Sequence, residues 1–92
     1  MYRIEFTNKM KRDAKLMKKR GKDMSKLTNV LELLAAGTAL PQSFRDHRLT
    51  GDLSDFRECH IEPDWLLIYQ FQDDVLTHTA TGPGTHSDLF GK

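Results

Sequence analysis

The segment Trp65 to Phe71, "WLLIYQF", constrains this chain more than any other. It is a short, nearly unbroken apolar run rich in aromatic and branched side chains, which reads as a strand covered on both faces. Its approach is of another kind: His60, Glu62 and Asp64 crowd against it, broken by Pro63, with Trp65 as the first strand residue. A buried strand fixes the register of whatever pairs with it, so side chains at its mouth would be held on a rigid platform.

The remaining elements arrange themselves around that strand. "YRIEF" alternates Tyr2, Ile4 and Phe6, as a strand does. Thr7 or Asn8 offers an N-cap to "KMKRDAKLMKKRG", in which Met10, Ala14 and Met17 share one helical face and Gly21 closes the helix. Asp23 caps a second helix whose Leu27, Val30, Leu31 and Leu34 form a core stripe ending at Gly37. Helices joined by so short a connection form an antiparallel hairpin. Residues 38–55 show no sustained period, carry Pro41 and Gly51, and read as a long loop. Strands follow at about 56–61, 65–71 and 75–81, the last two joined by a turn at Asp73 and Asp74. After Gly82, Pro83 and Gly84, "THSDLF" fits one short helical turn beginning at Thr85. The order βααβββ predicts a single α+β domain over residues 1–92: a twisted antiparallel sheet with an N-terminal two-helix hairpin on one face.

Charge along the chain is polarised. Residues 1–26 contain ten Lys or Arg and three acids, an excess of +7, whereas residues 27–92 contain four and ten, an excess of −6. A positive lobe of this kind attracts phosphate backbones; a lysine-rich helix that is simply well solvated is the plainer reading. No apolar stretch approaches the ~18 residues that span a bilayer, and the alternating N-terminus is not read as a signal peptide. The single Cys59 cannot close an internal disulfide, which fits a reducing cytoplasm, and its alternating neighbours make it a packed strand residue.

The histidines at 47, 60, 78 and 86 lack the spacings of a zinc site, and there is no Walker loop, dinucleotide fingerprint or nucleophile elbow, so neither metal nor cofactor is expected. Acid–base chemistry is the remaining option, because imidazole exchanges protons near neutral pH. His47 lies in the long loop, His60 near a strand end and His86 in the C-terminal turn, segments that can meet if the last strand lies beside the 56–61 and 65–71 pair. Asp64, four residues after His60 across Pro63, could orient an imidazole or stabilise its charged form. His78, in the middle of "LTHTAT", reads as an exposed sheet residue.

"LPQSFRDHRLTGDLSDFRECHIEPDWLLIY" followed by "GTHSDLF" resembles the YafQ branch of the RelE/ParE toxin superfamily, and the basic "KRDAKLMKKRGKDMSKL" segment matches that family's helical hairpin. The resemblance spans nearly the whole chain. It implies a RelE-like fold and a ribosome-dependent endoribonuclease, an mRNA interferase cutting message in the ribosomal A site. It also implies a cytoplasmic type II toxin–antitoxin pair whose RelB- or DinJ-like ribbon-helix-helix antitoxin carries the complex to operator DNA. By position, the family's active-site set falls on His47, His60, Asp64, Trp65, His86 and Phe90.

RNA cleavage without a metal needs a base for the 2′-hydroxyl, an acid for the departing 5′-oxygen and positive charge near the phosphorane. The resemblance makes His86 the acid, with Phe90 stacking on a base. His47, His60 and Asp64 share the base and positioning work, undivided by the sequence. Trp65 either packs beneath the site or stacks on a base, and Arg57 and Arg48 are candidates for the phosphate clamp. The basic lobe, Lys9, Lys11, Arg12, Lys15, Lys18, Lys19 and Arg20, would dock on ribosomal RNA.

One departure stands out. Where the family places an arginine before Gly-Thr-His, this chain has Ala80 and an apparent Gly-Pro insertion, and no Lys or Arg lies between 58 and 91. Losing such a contact costs roughly 3 kcal/mol of transition-state stabilisation, about a hundredfold in rate. Either Arg57 or Arg48 substitutes, or the chain is an attenuated toxin acting mainly as antitoxin partner and operon co-repressor.

Overall fold

The structure, a computed structural model, describes residues 2–84 and Leu89. β1 (Arg3–Phe6) leads into α1 (Asn8–Lys19) and α2 (Met24–Ala35); then come β2 (His47–Arg48), β3 (Arg57–Glu62), β4 (Trp65–Gln72) and β5 (Val75–Pro83). The helices start where side chains satisfy their free amides. Thr7 Oγ1 accepts from Met10 N at 3.0 Å, and Asp23 Oδ1 accepts from Ser25 N at 3.0 Å. Gly21 and Gly37, both at positive φ, close the two helices as expected. Thr7 also donates to the Thr79 carbonyl at 2.6 Å, so the cap that begins α1 ties it to β5.

The five strands form one sheet in the order β1-β5-β4-β3-β2. Strands β2 to β5 pair antiparallel, but β1 lies parallel to β5, with Phe6 opposite His78, so the sheet is mixed and not antiparallel throughout. The helical hairpin carries the chain across one face to the far edge, and the later strands return step by step. The last of them arrives beside β1 in the same direction. The predicted loop 38–55 is also more ordered than its sequence indicates: it holds β2 and two 3₁₀ turns, Gln42–Phe44 and Gly51–Leu53. A two-residue strand is too short to show a period. The proposed helical turn from Thr85 lies outside the described residues.

Alternation along the strands sorts side chains onto two faces. Beneath the helices Cys59, Ile61, Trp65, Leu67, Tyr69 and Leu76 pack against Met10, Met17, Leu27, Val30 and Leu34. On the other face Leu49, Ile68 and Ala80 are buried under Leu53, Phe56 and Leu89. The β4–β5 register slips between Ile68, opposite Ala80, and Tyr69, opposite His78, leaving Thr79 as an extra residue. That bulge puts His78 on the helix side with Tyr69 and turns Ala80 to the second face. His78 is therefore not exposed: its accessibility is 0%, and its ring stacks on Phe6 with centroids 5.1 Å apart.

Candidate active site

The chemistry-bearing side chains gather on the second face, at the β2–β3 edge. His47 is paired in register with Glu58, and His60 follows Glu58 by two residues, so all three project the same way. His47 Nε2 lies 2.9 Å from Glu58 Oε2, and its Nδ1 is 2.7 Å from the Arg45 carbonyl. A carbonyl can only accept, so Nδ1 carries a hydrogen, and Nε2 is the ring nitrogen that faces the Glu58 carboxylate. The Glu58 side chain is 7% exposed and that of His47 49%, so the couple has a buried anchor and an accessible end. Glu58 was not among the residues singled out from the sequence. The signal was present: in "RECHIE" it shares its strand face with His60.

His60 Nδ1 is 3.1 Å from the Pro63 carbonyl, which fixes that nitrogen as the donor and leaves Nε2 as the ring's acceptor. The tight β3–β4 turn therefore orients His60, and Asp64 does not. Asp64 is instead 75% exposed, with its carboxylate 3.9 Å from Lys22. Glu62 in the same turn accepts from Lys22 at 3.1 Å and Lys26 at 2.8 Å, which holds its carboxyl below the usual range. These bridges attach the start of α2 to the end of the sheet.

Trp65 is fully buried on the helix side, which makes it a core residue and removes its face from any base. Its Nε1–H donates to Thr81 Oγ1 at 3.0 Å, and Thr81 in turn donates from its hydroxyl to the Leu66 carbonyl at 2.6 Å and from its backbone N–H to Asp13 Oδ2 at 3.3 Å. The indole thus fixes the end of β5, from which the chain continues toward residues 85–90. His86 and Phe90 lie outside the described residues.

The two expected clamp arginines do not join the histidines. Arg57 alternates onto the helix side, where its Nε donates to Asp46 Oδ1 at 3.3 Å; Tyr69 Oη donates to the same oxygen. Burial, helped by Asp46, pushes the Tyr69 phenol up, so it stays a hydrogen-bond donor. Arg48 pairs in register with Arg57 and donates from Nε to the Ser54 carbonyl at 2.7 Å. Cys59 is buried, and burial pushes its thiol up to about 12, which keeps it un-ionised and inert. Ala80, in place of the expected arginine, is fully buried in the second-face cluster.

The basic lobe is the solvent side of α1. Lys11, Arg12, Lys15, Lys18, Lys19 and Arg20 are exposed around Leu16, whereas Lys9 is half-buried and bridges to Asp13 at 3.1 Å.

With this geometry in view, comparison with known proteins places the chain. The family described as the bacterial toxin of the type II toxin–antitoxin system, YafQ, matches residues 2–91, and the chain belongs to that family. It is 44% identical over 89 residues to the mRNA interferase toxin YafQ of Escherichia coli K12, covering 96% of this chain and 95% of that protein. The crystal structure of the E. coli DinJ–YafQ complex aligns with a TM-score of 0.88 at 39% identity, over 99% of this chain and 100% of that one. The metal-bound toxin from Helicobacter pylori aligns at 0.87 and 40% identity, over 98% and 100%.

Proposed function

We propose that this chain is the toxin of a type II toxin–antitoxin pair, an mRNA interferase that cuts message in the ribosomal A site by side-chain acid–base catalysis. The observation that carries this reading is the His47–Glu58 couple, 2.9 Å apart, beside His60 on one sheet face of a YafQ-family chain. One member of this group takes the proton from the 2′-hydroxyl. The oxygen then attacks the adjacent phosphorus, and His86 protonates the 5′-oxygen as it departs. Phe90 stacks on a neighbouring base, and exposed Asp64 lies at the margin of the site.

Docking falls to the α1 cations, whose density suits ribosomal phosphates. The neutralising partner is an antitoxin of the DinJ kind, as in the aligned E. coli complex, and operator DNA is reached only through it. Among the described residues no helix is long and apolar enough to cross a membrane. A cytoplasmic site of action follows from the ribosomal target.

Buried Ala80 favours a second reading, a weakly catalytic module that serves mainly as antitoxin partner and co-repressor. Mapping of cleavage sites in cells expressing the wild-type chain or His86→Ala separates the two. Codon-positioned cuts with wild type that vanish in the variant support the interferase; an uncut transcriptome with both supports the co-repressor.

A further inference from the structure

Arg45 occupies a position that neither the sequence pattern nor the family match assigns. Its backbone adopts the left-handed conformation, φ 51 and ψ 39, which side-chain-bearing residues rarely take. That conformation aims its carbonyl at His47 Nδ1, 2.7 Å away. Its exposed side chain lines a cleft of about 270 Å³ together with Ser43, Phe44, His60, Glu62 and Pro63. One residue therefore holds the first histidine through its backbone and shares a cleft with the second.

Among the described residues, Arg57, Arg48, Lys22 and Lys26 are engaged elsewhere. Arg57 is held by Asp46 on the helix side, Arg48 donates to the Ser54 carbonyl, and Lys22 and Lys26 converge on Glu62. Those two lysines also neutralise the cleft's own carboxylate, which lowers its repulsion of an incoming phosphate. We infer that Arg45 is the phosphate-binding cation of this site, its guanidinium fork gripping the non-bridging oxygens of the scissile phosphate beside His60 in place of a last-strand arginine.

This role rests on the interferase reading and gives it a named substrate contact. The test is single-turnover cleavage of message on programmed ribosomes by wild type, Arg45→Gln, Arg45→Lys and Arg45→Gly. Glycine accepts the left-handed backbone and keeps the carbonyl for His47, so Arg45→Gly removes the cation while leaving the fold at least as stable. Arg45→Gln and Arg45→Gly should both lose on the order of 100-fold in the chemical step. Lysine, a point charge without the fork, should recover part of that loss, and added guanidinium ion should partly restore Arg45→Gly. Wild-type rates in Arg45→Gln and Arg45→Gly would overturn the assignment. Message left whole by the wild-type chain would instead overturn the interferase reading, and this role for Arg45 with it.

Discussion

His78 makes the stability of this domain depend on pH in a way that can be worked through. The ring is fully buried between β1 and the helix layer, stacked on Phe6, and neither of its nitrogens has a hydrogen-bond partner among the described residues. Burial pulls its pKa down from 6.5 to about 4. Between those values the unfolded chain holds a proton that the folded chain refuses, so stability falls as the pH drops through the window and changes no further below it. The limiting slope is about 1.4 kcal/mol per pH unit, and the window as a whole is worth about 3 kcal/mol. For a domain of this size that corresponds to roughly 10–25 °C in melting temperature. Carboxylates titrate toward the lower end of the same range, so the informative quantity is a difference between variants. His78→Phe keeps a flat ring against Phe6 and carries no proton. Thermal unfolding from pH 7.5 to 4 should show wild type and His78→Phe diverging below pH 6.5, the variant ahead by about 3 kcal/mol near pH 4. At pH 7 the variant should already gain something, because two unpaired ring nitrogens leave the core. Parallel curves across the whole range would refute the reasoning.

Other perturbations test the site's supports. Asp46→Ala removes the acceptor of Tyr69 and Arg57, and should cost roughly 1–3 kcal/mol in denaturant unfolding. It should also reduce cleavage by loosening the adjacent His47, whereas Asp46→Asn, which retains an acceptor, should do much less; an unchanged midpoint for Asp46→Ala would remove this anchor from the account. Ala80→Arg forces a long cation among Leu49, Ile68 and Leu89, so calorimetry should record a loss of about 1–3 kcal/mol without a gain in rate. Full stability together with a large acceleration would show that the last strand still accepts its arginine. Reversal of Arg12, Lys15, Lys18 and Lys19 to glutamate should raise KM and flatten the salt dependence of ribosome association while sparing single-turnover cleavage; a pure kcat effect would move these residues into the chemistry.

The helical hairpin and the three later strands were legible because each carries its own local signal. Thr7 and Asp23 cap where expected, and Leu27, Val30 and Leu34 form the stripe that the spacing predicts. What escaped depends on pairing. β2 exists only because His47 and Arg48 find partners on β3, and two residues hold no period. Thr79 as a bulge is invisible in "LTHTAT"; strict alternation would place His78 and Ala80 on one face, and only the slipped register against Ile68 and Tyr69 separates them. Arg57 lies away from the histidines for a simpler reason. Arg57 alternates with Glu58 and His60, so the β3 sequence already placed it across the sheet from the histidines, and Asp46 then neutralised it there.

The same alternation explains how one small sheet separates stability from chemistry. Residues 45 to 48 cross the β2 edge as a staple: Asp46 reaches the helix side to Tyr69 and Arg57, and its neighbour His47 reaches the second face to Glu58. Damage to the helix-side anchor therefore reaches the proton-handling couple through a single peptide unit. The docking charges are isolated by comparison. α1 is tied to β5 through its Thr7 cap, while β2 lies three strands away, about 14 Å at the usual spacing of about 4.8 Å. That separation exceeds the screening length of about 8 Å at physiological salt, so charges at the Thr7 end of α1 are largely screened from the β2 edge. Their influence is confined to encounter, which is why charge reversal on α1 and substitution at Arg45 should divide cleanly between KM and the chemical step.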